Sequence, residues 1–80
     1  MTKQQLVRAD ELRPGDRYQR FANGDRGPQV TVTIVSPKRR EWEGWNGDHR
    51  ARFVEYLEAV GNDKVIPTTF LAEAVLKVER

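Results

Sequence analysis

A chain of 80 residues has the length of one small domain, because it buries only about 60 to 65% of the surface that it exposes when unfolded. Hydrophobic residues make up 38% of the chain, which is enough for a core. The lack of cysteine excludes disulfides and thiolate metal sites. No apolar stretch has the length of a signal peptide or a membrane helix. The net charge of +2 is uneven, with nine Lys and Arg against four Asp and Glu in residues 1–40 and five against eight in residues 41–80. We therefore predict a single cytoplasmic domain over residues 1–80 that makes no membrane contact. Its charge can steer a partner but does not identify nucleic acid.

The first forty residues contain strand patterns separated by turn residues. Residues 6–8 predict a short edge strand, and Arg-Pro-Gly-Asp at residues 13–16 predicts a type II turn, because proline fixes φ and glycine supplies a positive φ. Residues 17–21 mix aromatic and polar side chains as a half-buried strand does. Residues 30–35 are β-branched throughout, which predicts the clearest strand of the chain, ended by Pro37.

The middle of the chain allows two interpretations. Residues 37–50 are rich in glycine and charge, which indicates a long loop with a short strand around Trp42 as an option. Residues 51–60 fit one face of a helix, but they are also rich in strand formers and end in a turn sequence. We favour the strand.

The last part of the chain is predicted to return to the sheet. Residues 64–66 form a hairpin partner that Pro67 ends, residues 69–74 form a short helical turn, and residues 75–80 alternate as a last strand. The fold class is therefore mainly β, a small SH3-like barrel of five or six strands with a short helical turn near the C-terminus. The alternative is an α+β domain with helices at 49–60 and 69–78.

Several stretches of the sequence resemble a group of small proteins from actinobacteria and their phages that have SH3-like β-barrels. The stretches are Val-Arg-Ala-Asp-Glu-Leu-Arg-Pro-Gly-Asp-Arg at residues 7–17, Val-Thr-Val-Thr at 30–33, Val-Ile-Pro at 65–67 and Val-Glu-Arg at 78–80. The resemblance implies a small barrel of five or six strands and a phage origin. It carries over no functional residue.

The sequence offers little material for catalysis. His49 is the only histidine, and its neighbour Asp48 is poorly placed to share a metal ion with it. No glycine-rich segment joins a strand to a helix in the manner of a phosphate-binding loop. Glu55 and Glu58 lie in patterns typical of exposed carboxylates. We predict no enzyme activity, no cofactor and no catalytic or metal-binding residue.

One segment, residues 38–52, has the character of a recognition surface. It combines cations that can neutralise phosphates with indoles that can stack on bases or on the side chains of a partner. Its acidic residues cancel three of its five positive charges. This favours the alternative that the segment is an ordinary solvated surface on which one tryptophan packs against the barrel. The candidate partner-binding residues are Lys38, Arg39, Arg40, Trp42, Trp45, His49, Arg50 and Arg52.

The function predicted from these observations is binding. The resemblance to phage proteins favours a protein-interaction module, as a phage accessory or host-modulating protein, and the alternative is a nucleic-acid-binding domain that uses residues 38–52. A second surface, formed by apolar residues of 70–76 with Tyr56, fits a core better than a docking patch. Self-association stays open.

Overall fold

The computed structural model describes residues 3–21, 26–61 and 64–80. Within these ranges, no helix has the length and apolar character needed to span a bilayer. The described part of the chain forms seven strands and one 3₁₀ turn: β1 (Gln4–Arg8), the 3₁₀ turn (Ala9–Glu11), β2 (Arg17–Phe21), β3 (Gln29–Ile34), β4 (Arg40–Asn46), β5 (His49–Val60), β6 (Lys64–Leu71) and β7 (Val75–Glu79).

The strands form one antiparallel sheet that curls into a half-barrel. Its order is β1-β7-β2-β3-β5-β4, and β6 pairs with the other edge of β5. The twelve-residue strand β5 is the centre of the fold, because its first part pairs with β4, its last part pairs with β3, and β6 follows most of its length.

The core lies on the concave face of the sheet. Strand residues alternate between the two faces, so Val54, Tyr56 and Glu58 of β5 point inward, while their neighbours lie on the convex face. Tyr56 donates a hydrogen bond to the Ala9 carbonyl at 2.6 Å, which ties the 3₁₀ turn to the sheet. The buried apolar residues are Val7, Ala9, Leu12, Tyr18, Val32, Ile34, Val54, Tyr56, Ala72 and Val78.

The predicted fold class is confirmed, with differences in its details. Residues 51–60 are strand, so the alternative with helices at 49–60 and 69–78 is wrong. The sheet has seven strands in the described residues rather than five or six. The helical turn predicted at 69–74 is also wrong, because β6 continues to Leu71 by pairing with β5. Residues 72–73 then form a turn that is not helical. Tertiary pairing overrides the helix propensity of this segment.

Two further predictions are corrected by strand pairing. The loop expected over residues 37–50 contains a β-hairpin, because Gly47 adopts φ +65° at the first central position of a two-residue turn, the pattern of a type II′ turn. Pro67 does not end β6. Pro67 lies opposite Leu57 of β5, and the N–H and C=O groups of Leu57 bond to Ser36 and Val35 on the side away from β6. The two residues therefore exchange no backbone hydrogen bond, and the nitrogen of Pro67 faces the free edge of the sheet, where no N–H is needed.

The type II turn at residues 13–16 is confirmed. Gly15 has φ +97°, and the Asp16 N–H donates to the Arg13 carbonyl at 3.1 Å. The Asp16 carboxylate is buried, accepts a hydrogen bond from the Arg13 N–H and binds the Arg80 guanidinium at 2.8 Å. The turn therefore fastens the end of β7 to the loop before β2.

Candidate functional site

The predicted recognition segment folds as the β4–β5 hairpin with the linker before it. Residue pairs from Arg40↔Glu55 to Asn46↔His49 run in register to the turn. Beyond Ala72, which donates its N–H to the Arg52 carbonyl, β6 no longer covers β5. The tip of the hairpin, residues 43–52, therefore projects past the rest of the sheet.

Three cations of the hairpin and its linker, Lys38, Arg50 and Arg52, are held in close ion pairs. Lys38 binds one oxygen of Glu41 at 3.0 Å, and Arg52 binds the other oxygen at 2.6 Å. Glu43 binds Arg50 at 2.9 Å. The hydrogen bond from Lys38 lowers the pKa of Glu41, which keeps that carboxylate charged. The basic character seen in the sequence is thus largely neutralised within the hairpin.

One face of the hairpin belongs to the convex side of the sheet. Trp42 is half-buried and stacks on Phe53, with 5.8 Å between ring centroids and 21° between the ring planes. The Arg40 guanidinium lies 4.3 Å from the Trp42 ring centroid, a cation–π contact. Gly44 makes room for this packing, because a Cβ there would lie 2.9 Å from Phe53. Trp42 therefore has a structural role.

The opposite face presents the exposed tryptophan. Trp45 is 68% exposed, and the Arg50 guanidinium carbon lies 5.9 Å from its ring centroid. Beside the tip is a groove of about 700 Å³ between the hairpin and the turn that joins β6 to β7. Its walls are formed by Glu43, Asn46, Arg50, Ala51, Arg52, Leu71, Glu73 and Ala74.

The structure brings the predicted site residues into one hairpin but divides them between its two faces. Trp45, Arg50 and Arg52 lie on the face that adjoins the concave side. The other members of the segment lie on the convex face or in the linker: Arg40, Trp42 and His49 on that face, Lys38 and Arg39 before β4. His49 and Arg39 are exposed.

Sequence reasoning missed the second wall of the groove. Leu71, Glu73 and Ala74 reach it because β6 pairs with β5, and Asp10 joins the hairpin through Arg52 at 3.6 Å. These residues are distant in sequence from the hairpin, and no local motif marks them. Only the strand register could have indicated their position.

A polar cluster inside the half-barrel was also missed. Glu58 was expected to be exposed, but it is fully buried, and it accepts a hydrogen bond from the Tyr18 hydroxyl at 2.5 Å. Arg20 approaches the second Glu58 oxygen at 3.0 Å as an ion pair without hydrogen-bond alignment. Burial, together with the Glu58 carboxylate, raises the pKa of Tyr18.

No group of three or more His, Asp or Glu side chains in the described residues could hold a metal ion. The polar cluster around Glu58 consists of one carboxylate, one phenol and one guanidinium, a set that suits structural pairing. No protein-family model matches the chain, and no curated protein or solved structure is significantly similar to it.

Proposed function

We propose that the protein is a non-enzymatic protein-binding module and that its contact surface is the Trp45 face of the β4–β5 hairpin. The observation that carries the proposal is the combination of a 68% exposed indole with paired charges around it. Tryptophan and arginine are enriched where protein interfaces gain most of their binding energy. From the resemblance we further propose an accessory or host-modulating role for a phage protein in the host cytoplasm.

The charge arrangement favours a protein partner over nucleic acid. Binding to phosphates requires cations that are free to replace counterions. Arg50 and Arg52 are already bound to Glu43 and Glu41. A partner that inserts an apolar side chain beside Trp45 can leave these pairs intact, whereas a phosphate must compete with two carboxylates.

Nucleic-acid binding is the second candidate, and a different part of the hairpin favours it. Arg39 is exposed, and Arg40 lies over the indole of Trp42. Its partner Glu55 is 3.8 Å away, which leaves the Arg40 guanidinium weakly held. These two cations, with Lys38 beside them, form the site that a phosphate backbone would contact.

The first experiment captures partners with the immobilised protein and identifies them quantitatively by mass spectrometry. The Trp45→Ala variant is compared with Phe21→Ala, a control that removes an exposed aromatic ring on another strand. We expect Trp45→Ala to lose a defined protein that Phe21→Ala retains, with little change at high salt, because an apolar contact is not screened. Equal capture by both variants contradicts the proposal.

The second experiment separates the two candidates. Fluorescence anisotropy is measured with single- and double-stranded DNA and RNA at low and at physiological salt. The protein-binding proposal predicts no appreciable binding. Micromolar binding that collapses with salt, and that weakens when Lys38, Arg39 and Arg40 are replaced by alanine, favours the nucleic-acid candidate instead.

A further inference from the structure

In the described part of the sheet, β1, β4 and β6 each pair with a neighbouring strand along one edge only, and they differ in how the other edge is protected. On β6 the nitrogen of Pro67 faces outward, so this edge lacks a donor at its centre. On β4 the outward positions include Glu41 and Glu43, two charged residues held in ion pairs with cations of the same segment. Strand β1, Gln4–Arg8, contains no proline, glycine or acidic residue, and Arg8 is its one charged residue. It is the least protected of the three edges.

The backbone of β1 has a defined orientation. Lys3 and Arg80 exchange two hydrogen bonds at 3.2 and 3.1 Å, and Ala9 donates its N–H to Ala74 at 2.7 Å. Because antiparallel pairs alternate, the odd-numbered residues of β1 direct their N–H and C=O groups towards β7. Gln4, Leu6 and Arg8 direct theirs outward, and together they form a row of donors and acceptors that pair with no other described strand.

The side chains of β1 leave an apolar group beside this row. Val7 points inward and is buried, which fixes the strand on the core. Leu6 points to the convex face and is 75% exposed, and Val75 of the neighbouring β7 is 59% exposed on the same face. Two exposed aliphatic residues next to a free strand edge are a site for pairing with another strand.

We propose that this edge binds a second copy of the chain, with the two β1 strands antiparallel and centred on Leu6. In this register Leu6 lies opposite Leu6 of the second copy, and Gln4 lies opposite Arg8. Each of these pairs exchanges two backbone hydrogen bonds, because all three residues direct their backbone groups outward. The two half-barrels then share one continuous sheet across a two-fold axis.

The charges of the strand are compatible with this register and disfavour another. Arg8 binds Asp10 of its own chain through hydrogen bonds of 3.1 and 2.9 Å, so its charge is locally neutralised. In the Leu6-centred register no cation lies opposite a cation. A register centred on Arg8 would place two guanidinium groups opposite each other and would leave Gln4 without a partner. A net charge of +2 on each copy adds little repulsion.

The proposal goes beyond the protein-binding function and is independent of it. The turn after β1 contacts the base of the hairpin through Asp10 and Arg52, but the Leu6-centred pairing of β1 uses neither Trp45 nor Arg50. A dimer formed through β1 would therefore present two Trp45 surfaces. Two linked contacts raise the effective concentration of the second binding event, so a repetitive partner would be bound more tightly than a single site.

Sedimentation equilibrium of the full chain tests the proposal. A junction of two short strands is a small interface, for which we expect a dissociation constant on the order of 10⁻⁵ to 10⁻⁴ M. The protein concentration is therefore varied between about 1 µM and about 1 mM, a range that contains this value. The variant Leu6→Lys places two cations at the two-fold axis, and we expect association to weaken at least about tenfold. The matched control Val65→Lys makes the same change at the exposed edge strand β6 and should leave association unchanged. Circular dichroism verifies that both variants fold.

A second measurement tests the register. The wild-type chain has no cysteine, so Leu6→Cys supplies a single thiol at the proposed axis. Opposed residues in a hydrogen-bonded pair have Cα atoms about 5.5 Å apart, within the range that a disulfide spans. We expect the oxidised dimer to form at least about tenfold faster than for Val65→Cys. A chain that stays monomeric at the highest concentration, or equal effects of the changes at Leu6 and Val65, would overturn the proposal.

Discussion

Two ion pairs of nearly equal length lie in opposite environments. Arg20 approaches Glu58 at 3.0 Å inside the half-barrel, and Arg50 approaches Glu43 at 2.9 Å at the hairpin tip. Glu58 is fully buried, whereas the Glu43 side chain is 64% exposed. Distance therefore does not decide what such a pair contributes. Hydration decides it, because water reaches both partners at the tip, whereas in the interior pair it reaches the Arg20 side chain, which is 38% exposed, but not the Glu58 carboxylate.

The largest expected effect is the loss of the buried carboxylate. Glu58→Ala removes the acceptor of Tyr18 and the counter-ion of Arg20, so we expect the free energy of unfolding to fall by about 3 kcal/mol. Urea unfolding followed by circular dichroism measures the change. Glu58→Gln keeps an acceptor for the phenol and should lose less, which makes it the matched control. A loss below about 1 kcal/mol for Glu58→Ala would show that the interior pair behaves like a surface pair.

The interior cluster should also give the fold a dependence on alkaline pH. Burial and Glu58 raise the pKa of Tyr18, so the folded state keeps the phenol proton at a pH where the unfolded chain releases it. The stabilisation is complete below the ordinary tyrosine pKa of about 10 and is lost above it, by at most about 1.4 kcal/mol per pH unit. Unfolding experiments on either side of this pH measure the slope.

The control for this prediction is Tyr18→Phe. Burial also raises the pKa of Tyr56, so part of the slope should survive in the variant. A slope that is unchanged by Tyr18→Phe would assign the alkaline dependence to other groups.

The smallest expected effect belongs to the hairpin pair. Arg50→Ala should change the free energy of unfolding by less than about 0.5 kcal/mol, because both partners are largely hydrated. The same urea experiment measures it. If Arg50→Ala destabilises as much as Glu58→Ala does, the contrast between the two pairs is wrong.

Local patterns in the sequence predicted the elements whose geometry depends on local residues. The type II turn at residues 13–16 follows from Pro14 and Gly15, and β3 follows from a β-branched run. The interpretation of residues 51–60 as strand is confirmed for the same reason. The edge-strand position predicted for residues 6–8 also agrees with β1 at the end of the sheet.

The features that were missed depend on strand pairing over long distances in sequence. Glu58 resembles an exposed carboxylate within its own strand, and only the approach of β2 brings Tyr18 and Arg20 to it. Pro67 resembles a strand terminator, and only the position of β6 at an edge allows it to stay inside a strand. For the candidate site, sequence predicted the segment and its members but not their division between two faces of a hairpin, because the register of β4 against β5 was unknown.

The pairing of β1 with β7 has a consequence for synthesis. Lys3 and Arg80, the first and last described residues, exchange hydrogen bonds, so β1 has no partner on a ribosome until residues 75–80 have emerged. During translation both edges of β1 are open, and contacts between residues so distant in sequence form slowly. The closing of the half-barrel therefore waits for the synthesis of β7, and neighbouring nascent chains on one messenger would compete for the same strand.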